Sequence, residues 1–204
     1  IDIVHFHFAT TAALMSEMLD WPIKTVVSFY GFDYRHALLA KPELKVSYQK
    51  IFEKVNLILV EGQSGHLALE DLGARPESIA TLHLGIDLQK VGHDSRMKSV
   101  DDLKLLHAAT FTPKKGQLAS IKAFQRAKQN CPNMTLELVG EVGDSKYFDY
   151  CKKEMMQTEG IRIRPFVTHE NWYDFLKNYD ILIQPSRVAD SGDCEGGAPV
   201  SLID

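Results

Sequence analysis

Gln89-Lys-Val-Gly-His-Asp-Ser-Arg-Met-Lys-Ser-Val-Asp-Asp102 decides how the chain is divided. The stretch is polar and has neither the alternation of a strand nor the spacing of a helix, the pattern of a connection between domains. On its N-terminal side, β-branched runs at 3–8, 24–29, 57–60 and 79–84 read as strands. They alternate with helical patterns over about 10–19, 42–54 and 64–72. Pro42 suits a first helical turn, and Gly73 suits the residue that closes a helix. On its C-terminal side the rhythm resumes, with strands at 103–109, 135–139, 161–164 and 181–184 and helices over about 116–129, 146–157 and 170–178. Such alternation builds βαβ units and mainly parallel sheets. The predicted fold is α/β: two facing, doubly wound parallel-sheet domains at 1–88 and 103–204, joined by a linker over 89–102.

With 204 residues, 45% of them hydrophobic and 25% charged, the chain has material for real cores. A net charge of -4 argues against a generally basic nucleic-acid binder. Cys131, Cys151 and Cys194 are odd in number and lack metal-ligand spacing, so a reducing cytoplasm is the simpler expectation. No apolar run approaches the ~18 residues of a membrane span. The sequence opens without Met on the strand-like Ile1-Asp-Ile-Val-His-Phe-His-Phe8 and stops at Ser201-Leu-Ile-Asp204, as if one turn into a helix. Both domains are therefore expected to be incomplete, in a piece cut at both ends from a longer chain.

Open α/β sheets bind ligands beyond the carboxyl ends of their strands. That rule selects His5-Phe-His7 and Tyr30-Gly-Phe-Asp33 in the first domain, and 110–116, 140–144 and 185–199 in the second. Phe111-Thr-Pro-Lys-Lys-Gly116 enters a helix whose free N–H groups attract anions. Read alone, it is two solvated lysines in a turn. Gly140-Glu-Val-Gly-Asp144 lacks the spacing of a dinucleotide loop and reads as a turn. The longer Pro185-Ser-Arg-Val-Ala-Asp-Ser-Gly-Asp-Cys-Glu-Gly-Gly-Ala-Pro199 is more specific. Irregular loops of that length in compact domains are usually functional. Its glycines admit close approach of a ligand, and Glu195 can accept bonds from sugar hydroxyls. Asp190 and Asp193 are wrongly spaced for a metal pair, so no metal site and no cofactor are expected.

Taken in order, these segments resemble glycosyltransferase family 4, the retaining enzymes of GT-B fold. The resemblance rests on His5-Phe-His-Phe8, Val26-Val-Ser-Phe-Tyr-Gly-Phe-Asp33, Leu59-Val-Glu-Gly62, Leu72-Gly-Ala74, His83-Leu-Gly-Ile-Asp87, Pro113-Lys-Lys-Gly116, Leu136-Glu-Leu-Val-Gly140 and Pro185-Ser through Glu195-Gly-Gly to Asp204. The Glu-Gly-Gly-Ala-Pro variant is similar to enzymes that build bacterial exopolysaccharide or lipopolysaccharide.

The resemblance implies a catalytic role for Lys115 at the donor diphosphate and for Glu195 against the donor sugar. It implies donor binding by Gly116, Gly196 and Gly197, with Asp204 at the ribose hydroxyls. His7, Tyr30, Gly31 and Asp33 would serve the acceptor side. The implied donor is a UDP- or GDP-sugar, and the acceptor a glycan or lipid-linked saccharide. That activity fits the cytoplasm or the inner face of the membrane, with peripheral membrane association left open. The sequence departs from the family pattern in three places. Tyr30 replaces a histidine, Ala109 and Thr110 stand where a diphosphate-binding arginine belongs, and one extra residue separates Glu195 from Asp204. A non-catalytic sugar-phosphate-binding protein, another GT-B enzyme such as an epimerase, and a two-domain binding protein of periplasmic type are the alternatives.

Overall fold

The computed structural model describes residues 1–89, 102–195, 197 and 199–203. The interior of the expected linker, 90–101, lies outside the described residues. The chain forms two compact units, Ile1–Gly85 with Val188–Pro199 and Ile86–Arg187 with Val200–Asp204. Each has its own parallel sheet.

In the first unit, β1 (Ile3–His7), β2 (Lys24–Phe29), β3 (Leu57–Val60) and β4 (Ile79–Thr81) lie side by side in chain order. Around them are α1 (Ala9–Leu14), α2 (Ala37–Ala40), α3 (Leu44–Lys54) and α4 (Gln63–Asp71). Alternate strand residues Phe6, Val27, Phe29, Ile58 and Val60 enter one core with Ala9 and Ala12 of α1, Tyr48, Ile51 and Phe52 of α3, and Leu69 of α4. The three α3 residues fall three and four apart, the stripe a core-facing helix presents. Gly73 at φ 99 ends α4, its N–H reaching Glu70 O and the Ala74 N–H reaching Leu69 O. Residues 32–40, which the sequence pattern leaves as loop, form a π-helical turn, Phe32–His36, running into α2. The segment is too short for its buried Tyr34 and Ala37 to announce a stripe.

In the second unit the strands are β5 (Lys104–Ala108), β6 (Thr135–Val139), β7 (Ile161–Arg164) and β8 (Ile181–Leu182). Their order is β7-β6-β5-β8, all parallel. The helices are α5 (Gln117–Lys128), α6 (Ser145–Met155), α7 (His169–Leu176) and α8 (Val200–Ile203). Leu136, Leu138 and Ile161 pack with Ile121 and Phe124 of α5 and Tyr147 and Cys151 of α6. Leu106 and Val139 pack separately with Trp172 and Tyr173 of α7. Helices therefore cover both faces of this sheet. After β7 the chain crosses α7 to the far edge and adds β8 beside β5. The strand order thus reverses between β5 and β8, which makes their carboxyl ends a topological switch point.

The carboxylate of Asp144 caps α6 by accepting the Tyr147 N–H at 3.0 Å. Asp144→Ala is expected to cost about 1 kcal/mol, as loss of an N-cap acceptor usually does. Denaturant unfolding would show it as a lower midpoint at unchanged slope.

Candidate functional site

The loops beyond β5, β6 and β8 are stitched together. The Ala109 N–H bonds Val139 O at 2.9 Å, and the Phe111 N–H bonds Glu141 O at 2.8 Å. Gly140, at φ 153, lies so close to the β5 loop that a Cβ would fall 2.2 Å from Ala109 O. Pro113–Lys115 makes one 3-10 turn, closed by the Lys115 N–H on Thr112 O. Gly116 follows in the left-handed conformation, φ 78, and starts α5. A Cβ there would sit 2.1 Å from Pro185 O, so only glycine lets the β8 loop press this closely on the head of α5. The Arg187 N–H completes the junction by donating to Lys114 O at 2.8 Å.

Several buried polar groups lie on these loops and at the start of α5. Gln117, 1% exposed, donates through Nε2 to Ala109 O and Thr110 O. Its Oε1 has no hydrogen-bond partner among the described residues, and neither do Thr112 Oγ1 and Ser186 Oγ. The Leu118 N–H in the first turn of α5 is taken by the Tyr147 hydroxyl at 3.0 Å. Burial pushes that phenol up to about 12, an effect the Arg187 charge opposes.

His107 lies on β5 and is fully buried. Its Nδ1 pairs with Ser120 Oγ at 2.7 Å, while Nε2 has no partner among the described residues. Burial, then the Lys115 charge, hold its pKa down at about 4. The unfolded chain takes up this proton near pH 6.5, and the folded chain resists it until about pH 4. Stability from His107 is therefore complete above pH 6.5 and falls as the pH drops toward 4. Unfolding free energy measured against pH should slope through that window, and His107→Gln should flatten it.

At the carboxyl ends of β1 and β2 in the first unit, His7 Nδ1 pairs with the Tyr30 hydroxyl at 2.9 Å and His5 Nε2 with Ser28 Oγ at 2.8 Å. The two imidazole centres are 4.3 Å apart. The Phe8 ring lies tilted against Tyr30, centroids 4.7 Å apart, and Phe8 has φ 73, the only positive φ among the described non-glycine residues. Such strain in a bulky residue tends to mark a functional site. Asp33 is fully buried, accepting the Thr10 N–H at 3.1 Å and the Tyr30 N–H at 3.0 Å. Burial raises its pKa against those bonds. Its carboxylate fastens the start of α1 to Tyr30, the residue that follows β2. Gly31 has an ordinary helical φ of -50.

The residues singled out in the sequence thus fall into groups. Lys115 and Gly116 stand at the switch point of the second unit. His7, Tyr30, Gly31 and Asp33 gather at the sheet end of the first. Glu195 and Gly197 lie on Val188–Pro199, which groups with the first unit although it follows β8 in sequence. There a Cβ on Gly197 would come 2.9 Å from Glu61 Cβ, and one on Gly192 2.9 Å from Leu39 Cδ1. Gly196 and Asp204 lie outside the described residues. The sequence reading passed over Phe8, His107 and Arg187. Only Arg187 carried a usable signal, its place just past a strand end.

Among the described residues no helix is long and apolar enough to cross a membrane, and no cluster of three or more His, Cys, Asp or Glu could hold a metal ion. The three cysteines are free.

Comparison with known proteins agrees with this architecture. The chain is 26% identical over 208 residues to the amylovoran biosynthesis glycosyltransferase AmsK of Erwinia amylovora, covering 100% of this chain and 50% of that protein. It therefore spans about half the length of this curated relative. Among solved structures, Anabaena HepE in complex with UDP and glucose superposes with a TM-score of 0.74 at 16% identity, over 91% of this chain and 52% of the other. The sucrose-phosphate synthase of Thermosynechococcus elongatus gives a TM-score of 0.74 at 12% identity, over 97% and 52%. These likenesses show the GT-B fold. The family model for glycosyl transferases group 1 matches residues 92–203, more than half of the chain, and the chain belongs to that family.

Proposed function

We propose that the whole protein is a retaining glycosyltransferase of family 4 that moves a sugar from a UDP- or GDP-sugar to a glycan or lipid-linked acceptor. The single observation that carries this reading is the junction of the β5 and β8 loops. A lysine, a left-handed glycine and the head of a helix meet there beside buried oxygens, on Thr112, Gln117 and Ser186, that lack hydrogen-bond partners among the described residues.

 The relevant part of that helix, which has 12 residues in all, is its first turn, where N–H groups and the helix dipole favour an anion. AmsK is named for amylovoran biosynthesis and HepE was solved with UDP and glucose, which supports a nucleotide-sugar donor and a role in cell-surface polysaccharide synthesis.

In this reading the second unit takes the nucleotide sugar. Lys115 offsets the charge that grows on the diphosphate as the bond from the anomeric carbon to the phosphate oxygen breaks. The acceptor hydroxyl attacks the same face of the sugar and passes its proton to the departing phosphate, so configuration is retained. Glu195 orients the donor sugar, and His7 and Tyr30 orient the acceptor. No metal or cofactor takes part, and the reaction runs in the cytoplasm or at the inner membrane face. Incubating the whole protein with labelled UDP- and GDP-sugars tests this: saturable binding with slow release of free sugar is expected from one of them. Neither binding nor hydrolysis with any common nucleotide sugar would sink the reading.

A further inference from the structure

We propose that Arg187 is the second cation of the diphosphate site, entering from the β8 loop to supply the charge that the β5 loop lacks at Ala109 and Thr110. This rests on the donor site placed at the switch point above and adds a binding residue to it.

The main chain fixes where Arg187 stands. Its N–H is held on Lys114 O at 2.8 Å, one residue from Lys115. Two residues earlier, Pro185 O lies against Gly116 at the start of α5. The anchor point of Arg187 is therefore set by the same junction that places Lys115. Its side chain is exposed rather than packed into either core. The Arg187 charge also reaches the Tyr147 phenol, and that oxygen already accepts the Leu118 N–H in the first turn of α5. Arg187, Lys115 and the head of α5 thus share one neighbourhood.

Polar groups in that neighbourhood call for a ligand. Gln117 is the first residue of α5 and 1% exposed, with Oε1 lacking a partner among the described residues; Ser186 Oγ, beside Arg187, is buried in the same condition. A hydroxyl or amide-bearing ligand with an anionic group would satisfy both needs. A nucleoside diphosphate has that chemistry: ribose and base donors, and two phosphates for two cations. The guanidinium suits the role because its planar fork meets two phosphate oxygens at once, whereas the lysine ammonium acts as a point charge.

The test is calorimetric binding of UDP, GDP and ADP to the whole protein and to Arg187→Ala, Arg187→Lys and Arg187→Gln. The nucleotide that binds best is then compared with its nucleoside. Arg187→Ala and Arg187→Gln should weaken the diphosphate at least about tenfold, the scale of one charged hydrogen bond. Nucleoside affinity and the melting midpoint of the unliganded protein should not move, and Arg187→Lys should recover part of the loss. Unchanged diphosphate affinity in Arg187→Ala overturns the inference while leaving the donor site standing. So does an equal loss of nucleoside and diphosphate, which would mean a structural role. Failure of the unaltered protein to bind any of the three diphosphates overturns the donor site and this inference together.

Discussion

Lys115→Ala should lower both donor affinity and turnover, removing about 2–4 kcal/mol of transition-state stabilisation, the range seen when one preorganised electrostatic donor is lost. The loss should fall more heavily on turnover. The donor diphosphate already carries charge when bound, but its bridging oxygen gains more as the glycosidic bond breaks, and an interaction stronger in the transition state than in the ground state shows in kcat. Lys115 is half-buried at the end of its 3-10 turn, so its charge acts where water screens it incompletely. Steady-state kinetics with the preferred nucleotide sugar would separate the two effects. Intact kcat with a raised KM would mean that Lys115 binds the ground and transition states equally, and no change in either would remove it from the site.

The βα rhythm was legible because this sequence obeys local rules where it builds its sheets. Lys24–Phe29, Leu57–Val60, Thr135–Val139 and Ile161–Arg164 are read correctly to the residue, each an apolar or alternating run bounded by turn signals. The last strand was overextended. Pairing of β8 with β5 stops at Leu182, whereas the apolar run continues to Ile183 and the strand read from it to Gln184. The π-helical turn at Phe32–His36 was not legible, since Gly31 and Asp33 look like loop residues and one of the two bonds that make Asp33 structural comes from Thr10, 23 positions away. Distance in sequence hides the candidate site for the same reason. Lys115-Gly116 is an unremarkable pair until β8 is inserted beside β5 and carries Pro185 and Arg187 to it. Strand order is a tertiary fact, and periodicity contains no trace of it.

Gly116→Ala should be strongly damaging to the second unit. A non-glycine residue at φ 78 costs about 1–2 kcal/mol in the left-handed region. The added carbon would also stand 2.1 Å from Pro185 O and 2.9 Å from Pro185 C, and neither is the end of a flexible side chain that could swing away. The β8 loop must retreat, at a further cost of about 1–3 kcal/mol typical of overpacking. Retreat stretches the Arg187 N–H away from Lys114 O and lifts Ser186 from the head of α5, so ligand binding should fall along with stability. The nearby Gly143 provides a control. A Cβ there would meet only Thr112 Cγ2 at 2.7 Å and Thr110 Cγ2 at 2.8 Å as its close contacts, both side-chain methyls, and its φ is not in the left-handed region. Gly143→Ala should therefore cost less. Thermal unfolding of the two variants, followed by nucleoside diphosphate binding to each, gives the comparison. If Gly116→Ala melts and binds like the unaltered protein while Gly143→Ala does not, the close junction of the β5 and β8 loops is not what holds the site together.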